Sequence, residues 1–332
     1  MQYSTFAAID IGSYDVILEI FEISKKQGIR SVDKICHRME LGKDTYTLGK
    51  IRPEMEEELC RVLADFVRIM EGYRVDDYRA TASSAISEAS NSLYVLGKIH
   101  QLTGLSVTVL SNSEQRFLSY KALAAMEDNF NKIIEKGTAI LDLDGGSFQI
   151  SLFDKDALVT TQNIRMGSLR IRERLAGIQS ETEHYEEMVE ELIWNEVSSF
   201  KKMYLKDRKI ENIMLIGDVF TDSVYQNIEE KTTKIISREN FNTWYEKIIH
   251  QSPMELAVKL GIPLENASLM YPSAVIYKCL IDMMGAEHIW IPGVHMTRGI
   301  AYEYAEQMKL LKGGHNFEND ILMAAKNIGK RY

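Results

Sequence analysis

Two short stretches of the chain carry nearly the same pattern of apolar and polar positions: AAIDIGSYDVILEIFEIS at 7–24 and AILDLDGGSFQISLFDKD at 139–156. Each reads as an apolar strand ending in an aspartate, then a turn rich in glycine and serine, then a second strand whose apolar residues roughly alternate. The pattern predicts two β-hairpins, each with a carboxylate and bare backbone amides at its tip. Elsewhere the period changes. In PEMEEELCRVLADFVRIMEGY at 53–73, Leu59, Val62, Leu63, Phe66, Ile69 and Met70 recur at helical spacing, with Pro53 where a helix start tolerates it. A third strand is predicted around 29–41, further strands near 78–82 and 106–111, and helices near 92–102 and from about Ser113.

The same order then returns: hairpin strands over 138–163, a long helix near 182–204, a strand at 212–217 and several helices to about 310. Strands alternating with helices in this way predict a mixed α/β protein. The repeat divides the chain into a first lobe at 1–128 and a second at 129–312. The stretch 313–332, KGGHNFENDILMAAKNIGKRY with its leading lysine, reads as a glycine break and one short amphipathic tail helix.

Composition narrows the picture. The chain has 332 residues with 45% apolar content, enough for a large core in two domains. A formal charge of −9 argues against a nonspecific DNA or membrane-surface binder, so a polyanion would need a locally basic cleft. Cys36, Cys60 and Cys279 lie far apart, form no CxxC pair or zinc spacing, and read as reduced, packed thiols. With no charged-then-apolar leader and no run of eighteen apolar residues, the expected compartment is the cytoplasm. The acidic run Glu181, Glu183, Glu186, Glu187, Glu190 and Glu191 reads as the solvated side of a helix, not a metal site.

The candidate chemistry sits at the hairpin tips. Asp10 and Asp142 are placed to hold a hydrated Mg²⁺, and the amides near Gly12, Ser13, Gly145, Gly146 and Ser147 to wrap phosphate oxygens. Asp-Gly and Gly-Ser turns also close ordinary hairpins, so one copy says little. Two copies, each with its aspartate directly after a buried strand, point to two related lobes facing one anion. Gly167 and Ser168 are further phosphate-binding candidates, and Arg165 and Arg170, which flank Met166-Gly167-Ser168, are the better placed of the basic ligand candidates. Arg172 and Arg174 read as a solvated helix face, and Lys43 and Arg116 are further additions.

A duplicated lobe with two phosphate hairpins is the plan of the actin, sugar kinase and chaperone ATPase superfamily. Within it the chain resembles the exopolyphosphatase and guanosine pentaphosphate phosphohydrolase family, Ppx/GppA, over about residues 5–310. The resemblance rests on landmarks in register: AAIDIGS at 7–13, ELGK at 40–43, ATASSAISEASN at 80–91, VLSNSEQRFLSY at 109–120, LDLDGGSFQ at 141–149 and RMGSLRIRERL at 165–175. It implies two ribonuclease H-like lobes with an interdomain cleft. It also implies Mg²⁺-dependent removal of the terminal phosphate from polyphosphate or guanosine pentaphosphate (pppGpp), with a water positioned by glutamates. Homologues of this type often pair, which makes a homodimer an implied expectation. Longer members add a helical C-terminal domain, and this chain resembles the two-domain form.

The departures from the family pattern fall on its chemistry. The motif resembling S-G-x-E-E-A-R is here Ser111-Asn112-Ser113-Glu114-Gln115-Arg116-Phe117, which puts Gln115 at the base position. In the second phosphate loop, resembling D-I-G-G-G-S-T-E, the final glutamate is Gln149 and the first glycine Asp144. Ser87 stands where a phosphate-contacting arginine is implied, Phe220 where a glycine would leave room, and His295-Met296-Thr297-Arg298-Gly299 replaces G-L-R-E-G. A positioned base contributes about 10²–10⁴-fold, so full family activity is not expected. Glutamine can still orient a water. Glu114 is a candidate stand-in base, with the alternative that it serves a helix N-terminus. Asp144 is a candidate second metal carboxylate, with the alternative that it only shapes the turn. Two functions follow: a slow phosphoanhydride hydrolase using Asp10, Asp142, Gln115 and Gln149, or a pseudo-phosphatase that binds a phosphoanion without turnover. A kinase or actin-like polymeriser fits less well, since no adenosine-binding glycine loop is recognisable in the second lobe.

Overall fold

The computed structural model describes residues 3–126, 130–176, 185–206, 208–227 and 235–311. They form two units. The first joins Met1–Ala125 to His295–His315, and the second contains Met126–Val294. This differs from the contiguous division at 128 and 312, because the helix Met296–Gln307 belongs with the first sheet. The expected tail helix at 313–332 and the acidic positions Glu181 and Glu183 lie outside the described residues.

In the first unit, β1 (Ser4–Ile11), β2 (Asp15–Ser24) and β3 (Gly28–Arg38) form an antiparallel meander, and β4 (Asp77–Ala82) and β5 (Val107–Val109) add in parallel, in the order β3-β2-β1-β4-β5. The two faces are sorted by residue parity. Ala7, Ile9 and Ile11 pack with Leu59, Leu63 and Phe66 of the helix Pro53–Gly72. Phe6 and Ala8 pack with Ile300, Ala301 and Tyr304 of Met296–Gln307, where the Phe6 and Tyr304 rings stack at 4.0 Å. Both faces of β1 are therefore buried, which is why the strand reads as a nearly continuous apolar run. By the same alternation Asp10 shares the face of Phe6 and Ala8.

The second unit repeats the order with one more strand. Its β6 (Thr138–Leu143), β7 (Phe148–Asp154) and β8 (Ala157–Ile164) form the meander. The strands β9 (Asn212–Ile216), β10 (Ile235–Ser237) and β11 (His288–Trp290) extend it as β10-β11-β9-β6-β7-β8. The shared succession, three antiparallel strands and then parallel ones beside the first, is the ribonuclease H-like arrangement, and in the second unit β10 closes the edge antiparallel to β11. The helix Leu264–Met284 is buried along most of its length, packed among other helices of this unit, and its Tyr277 hydroxyl donates to the Ile216 carbonyl of β9 at 3.2 Å. Among the described residues no helix is long and apolar enough to cross a membrane.

Most expected elements are present within a few residues of their expected ends. ELGK opens the helix Leu41–Leu48, which periodicity did not show. RMGSLRIRERL, whose arginines fit a strand or a helix, becomes the helix Ser168–Leu175. Of the three thiols expected to be packed, Cys60 is buried but Cys36 lies exposed on β3, where its thiol donates to Asp15 Oδ2 at 3.4 Å. Although the residue is exposed, the packing around its sulfur and the Asp15 carboxylate beside it push that thiol up to about 12.

Candidate functional site

The tip of the first hairpin is closed by its own bonds. Gly12 N–H donates to the Asp15 carbonyl at 2.9 Å, and Gly42 N–H to the Ser13 carbonyl at 2.8 Å. The Ser13 side chain is fully buried, so its hydroxyl points inward rather than toward a ligand. It meets the Tyr46 hydroxyl at 2.7 Å and the Ser84 hydroxyl at 3.2 Å, and Tyr46 meets Ser84 at 2.8 Å. Three hydroxyls in mutual contact can each donate once and accept once, which satisfies the group internally. Asp10, at the end of β1, has the Thr81 hydroxyl at 3.5 Å.

The two candidates at 114 and 115 are placed less favourably for chemistry. Glu114 completes a capping box: its Oε2 accepts from Ser111 N–H at 2.8 Å and from the Ser111 hydroxyl at 2.7 Å, while its own N–H donates to Ser111 Oγ at 3.3 Å. Those bonds hold its carboxyl below the ordinary glutamate range, which makes it a poor proton acceptor. Gln115 donates its amide Nε2 to the Leu110 carbonyl at 3.4 Å.

The second tip is clasped from outside. Asp144 N–H donates to the Ser147 carbonyl at 2.9 Å, closing the turn, and Gly145 N–H donates to Asp144 Oδ1 at 2.6 Å. From the start of the helix Ser168–Leu175, Ser168 N–H donates to the Asp144 carbonyl at 3.2 Å and Arg170 N–H to the Gly145 carbonyl at 2.9 Å. Arg170 Nε adds a bond to the Gly146 carbonyl at 2.9 Å. Gly167 is required for this approach, because a Cβ there would run into the Asp144 and Gly145 carbonyls. Arg170 thus shapes the loop, and Arg165 is exposed.

Asp142 stands between two flanking strands. Across β7 it pairs with Gln149, and across β9 with Ile216. After Ile216 the chain turns through Gly217, whose φ of 95° and closeness to the Leu143 carbonyl and Asp142 Oδ1 exclude a side chain. Asp218 follows and caps the helix Val219–Asn227. Its Oδ1 accepts from Phe220 N–H at 3.1 Å and Thr221 N–H at 3.3 Å, with the Tyr277 hydroxyl at 3.5 Å. As a residue it keeps some surface, but its Oδ2 is shut from solvent and has no hydrogen-bond partner. Burial pushes its carboxyl up to about 7, restrained by the nearby Ser273 hydroxyl and the Thr221 amide; Ser273 Oγ itself makes no hydrogen bond of good geometry.

Two more buried polar atoms without partners lie at this tip: Gln149 Oε1, on a residue 5% exposed, and Ser168 Oγ, on one 1% exposed. A buried polar group left unsatisfied costs about 1–3 kcal/mol. Their gathering at one end of one sheet makes this tip the candidate site. Asp218 is the residue here that the sequence did not single out for chemistry; the signal was a carboxylate directly after the glycine turn that follows an apolar strand. Phe220, read as filling space beside that turn, instead points into the lobe, fully buried between the Phe241 and Tyr277 rings. Among the described residues no group of three or more His, Cys, Asp or Glu stands close enough to hold a metal ion by direct ligation. A hydrated Mg²⁺ still fits the second tip, since it needs only one or two carboxylates and keeps several waters.

The strand order is that of the ribonuclease H-like class, and comparison with known proteins identifies the group within it. The Ppx/GppA phosphatase family model matches residues 19–308, and the chain belongs to that family. A bifunctional 3-dehydroquinate synthase/phosphatase of Fusobacterium nucleatum is 22% identical over 304 residues, covering 85% of this chain and 44% of that protein. Exopolyphosphatase 1 of Mycobacterium leprae is 25% identical over 144 residues, 43% of this chain and 41% of that protein. The chain thus matches less than half the length of either relative. Among solved structures, an exopolyphosphatase from Cytophaga hutchinsonii superposes with a TM-score of 0.82 at 17% identity, over 94% of this chain and 100% of that one. The Aquifex aeolicus Ppx/GppA family member gives 0.74 at 17% identity, over 92% and 99%. At such identities the likeness establishes the fold.

Proposed function

We propose that this protein is a slow, Mg²⁺-dependent phosphohydrolase that removes the terminal phosphate of a linear phosphoanhydride, inorganic polyphosphate or a guanosine pentaphosphate-like nucleotide. The observation that carries the reading is the second hairpin tip, where a clasped glycine-serine loop adjoins Asp142 and buried polar atoms that lack partners. The hairpin closures occupy the amides of Gly12 and Gly145, and Ser13 is fully buried, which leaves the amides of Gly146 and Ser147 for phosphate oxygens. Asp142 is the carboxylate of the second tip for a hydrated Mg²⁺, which when bound would neutralise charge developing on the transferred phosphoryl group. Asp144 serves the turn first, since its carboxylate accepts from the Gly145 amide.

Gln115 and Gln149 orient water without accepting its proton, so the rate should lie about 10²–10⁴-fold below that of a chain with a glutamate base. A second reading, a phosphoanion-binding pseudo-phosphatase, is favoured by a specific observation: Gln115 spends its amide on a backbone carbonyl and Glu114 its carboxylate on a cap, so neither is a ready base. The test is phosphate release from polyphosphate and guanosine pentaphosphate with Mg²⁺ by the natural chain and by Gln115→Glu/Gln149→Glu. Slow release that rises in the double variant supports the enzyme. Ligand-dependent thermal stabilisation without release from the natural chain supports the binding protein, and an unchanged or lower rate in a folded double variant counts against the water-orienting glutamines.

A further inference from the structure

We propose that the exposed face of the helix Tyr185–Phe200, continued into the π-helical turn Lys201–Leu205, pairs antiparallel with the same face of a second copy of this chain. Both segments belong to the second unit, where Val189, Ile193, Val197 and Phe200 bury the opposite side of the helix. The outward side carries Glu187, Glu191, Trp194, Lys201 and Lys202, all exposed. Glu187 and Lys201 stand seven residues before and after Trp194, close to two full turns in each direction, so the three share one stripe. The Lys201 ammonium accordingly lies 5.1 Å from the centre of the Trp194 ring.

The order of charges along this stripe selects the partner. A two-fold interface must be complementary to itself, residue i meeting j and j meeting i. With the axis at Trp194 and the helices antiparallel, each Glu187 comes opposite Lys201 of the partner subunit, because both lie about 10.5 Å from the axis along the helix. Glu191 and Lys202, eleven residues or about three turns apart, share one flank of the stripe and stand within reach of the opposing charges. The two carboxylates and two ammonium groups cancel on each copy, so contact here avoids the repulsion between chains of net charge −9. Parallel pairing would set acid against acid and lysine against lysine. A partner of uniform charge would satisfy only half of the stripe.

The fold of a single copy does not account for this face. Acids early and bases late in a helix suit its dipole, but that effect fades within the first turn, and Glu191 lies in the second. Nor does the dipole call for a tryptophan between the charges, 45% exposed. At the centre of a contact a tryptophan contributes most, ringed by polar groups that exclude water. One helix from each copy makes a small contact beside the roughly 1,200–2,000 Å² of a standard interface, so the pair should be weak and sensitive to salt.

Sedimentation equilibrium tests the pairing at micromolar to sub-millimolar protein and at low and high salt. The samples are the natural chain, Glu187→Lys, Lys201→Glu, the exchange Glu187→Lys/Lys201→Glu, an equimolar mixture of the two single variants, and Trp194→Ala, each checked for folding by circular dichroism. The natural chain should dimerise, and less so as salt rises. Each single reversal turns two symmetric attractions into repulsions and should weaken the dimer by about tenfold or more. The exchange should restore it, and the mixture should associate more tightly than either variant alone, since each supplies the charges the other lacks. Trp194→Ala should weaken association while leaving its salt dependence in place. A natural chain that stays monomeric throughout overturns the proposal. So does a dimer that keeps its affinity in both single reversals, because its contact then lies on another face. Weakening by both reversals with no recovery in the exchange or the mixture excludes the antiparallel two-fold and overturns it as well.

Discussion

The two hairpin tips descend from one pattern but differ in how their polar atoms are spent. At the first, Ser13, Tyr46 and Ser84 satisfy one another, and Glu114 is consumed by the cap at Ser111. At the second, Gln149, Ser168 and Asp218 each keep a buried atom without a partner, although the loop around them is held by four bonds from Gly145, Ser168 and Arg170. A tip that has satisfied itself is scaffold. One that is rigid in its backbone and unsatisfied in its side chains is prepared for something that arrives from outside, as a preorganised site must be. On this contrast rests the proposal that the second lobe is the working one, with the first supplying a finished backbone turn.

The contrast breaks most sharply at Gly167. In Gly167→Ala the new Cβ must displace the Asp144 and Gly145 carbonyls, so the clasp opens. We expect about 1–3 kcal/mol of destabilisation, read by chemical denaturation, and loss of any stabilisation by Mg²⁺ with polyphosphate. The next effect concerns pH. Because the Asp218 carboxyl is raised from 3.8 to about 7, its folded form holds a proton that the unfolded chain has released, so its contribution favours the fold below pH 4 and is lost as pH rises through 7. In EDTA, Asp218→Asn should therefore raise the melting temperature at pH 8 and change it little at pH 4. A gain that is equal at both pH values would show that charge burial is not the cause. The smallest effect is expected at the finished tip: Tyr46→Phe leaves Ser13 and Ser84 to each other and should cost about 1 kcal/mol by denaturant melt, without altering Mg²⁺ binding.

Much of this arrangement was legible in the sequence because it follows from local rules. The strand-aspartate-turn pattern located both hairpins, and apolar spacing located the helix Pro53–Gly72. The bland alternative for Glu114 was legible too, since Ser111-x-x-Glu114 is the sequence mark of a capping box. What escaped depends on contacts distant in sequence. That the helix Met296–Gln307 belongs to the first sheet follows from Phe6 meeting Tyr304 and from Thr297 donating to buried Glu19 at 2.5 Å, pairings that no periodicity announces. Ser13 looked like a phosphate ligand by its place in the turn, yet Tyr46 and Ser84, brought in from two other elements, claim its hydroxyl. Asp218 carried little signal because an aspartate after a strand is first of all a helix cap, and its second oxygen acquires meaning only beside Asp142.

The most direct test of the second tip as the working one is the thermal shift produced by Mg²⁺ and polyphosphate in the natural chain and in Asp142→Asn, measured together with phosphate release. The account predicts a Mg²⁺-dependent shift and slow release in the natural chain, with both lost in a folded Asp142→Asn variant. An undiminished shift and release after Asp142→Asn would contradict it, and would move the site away from this tip.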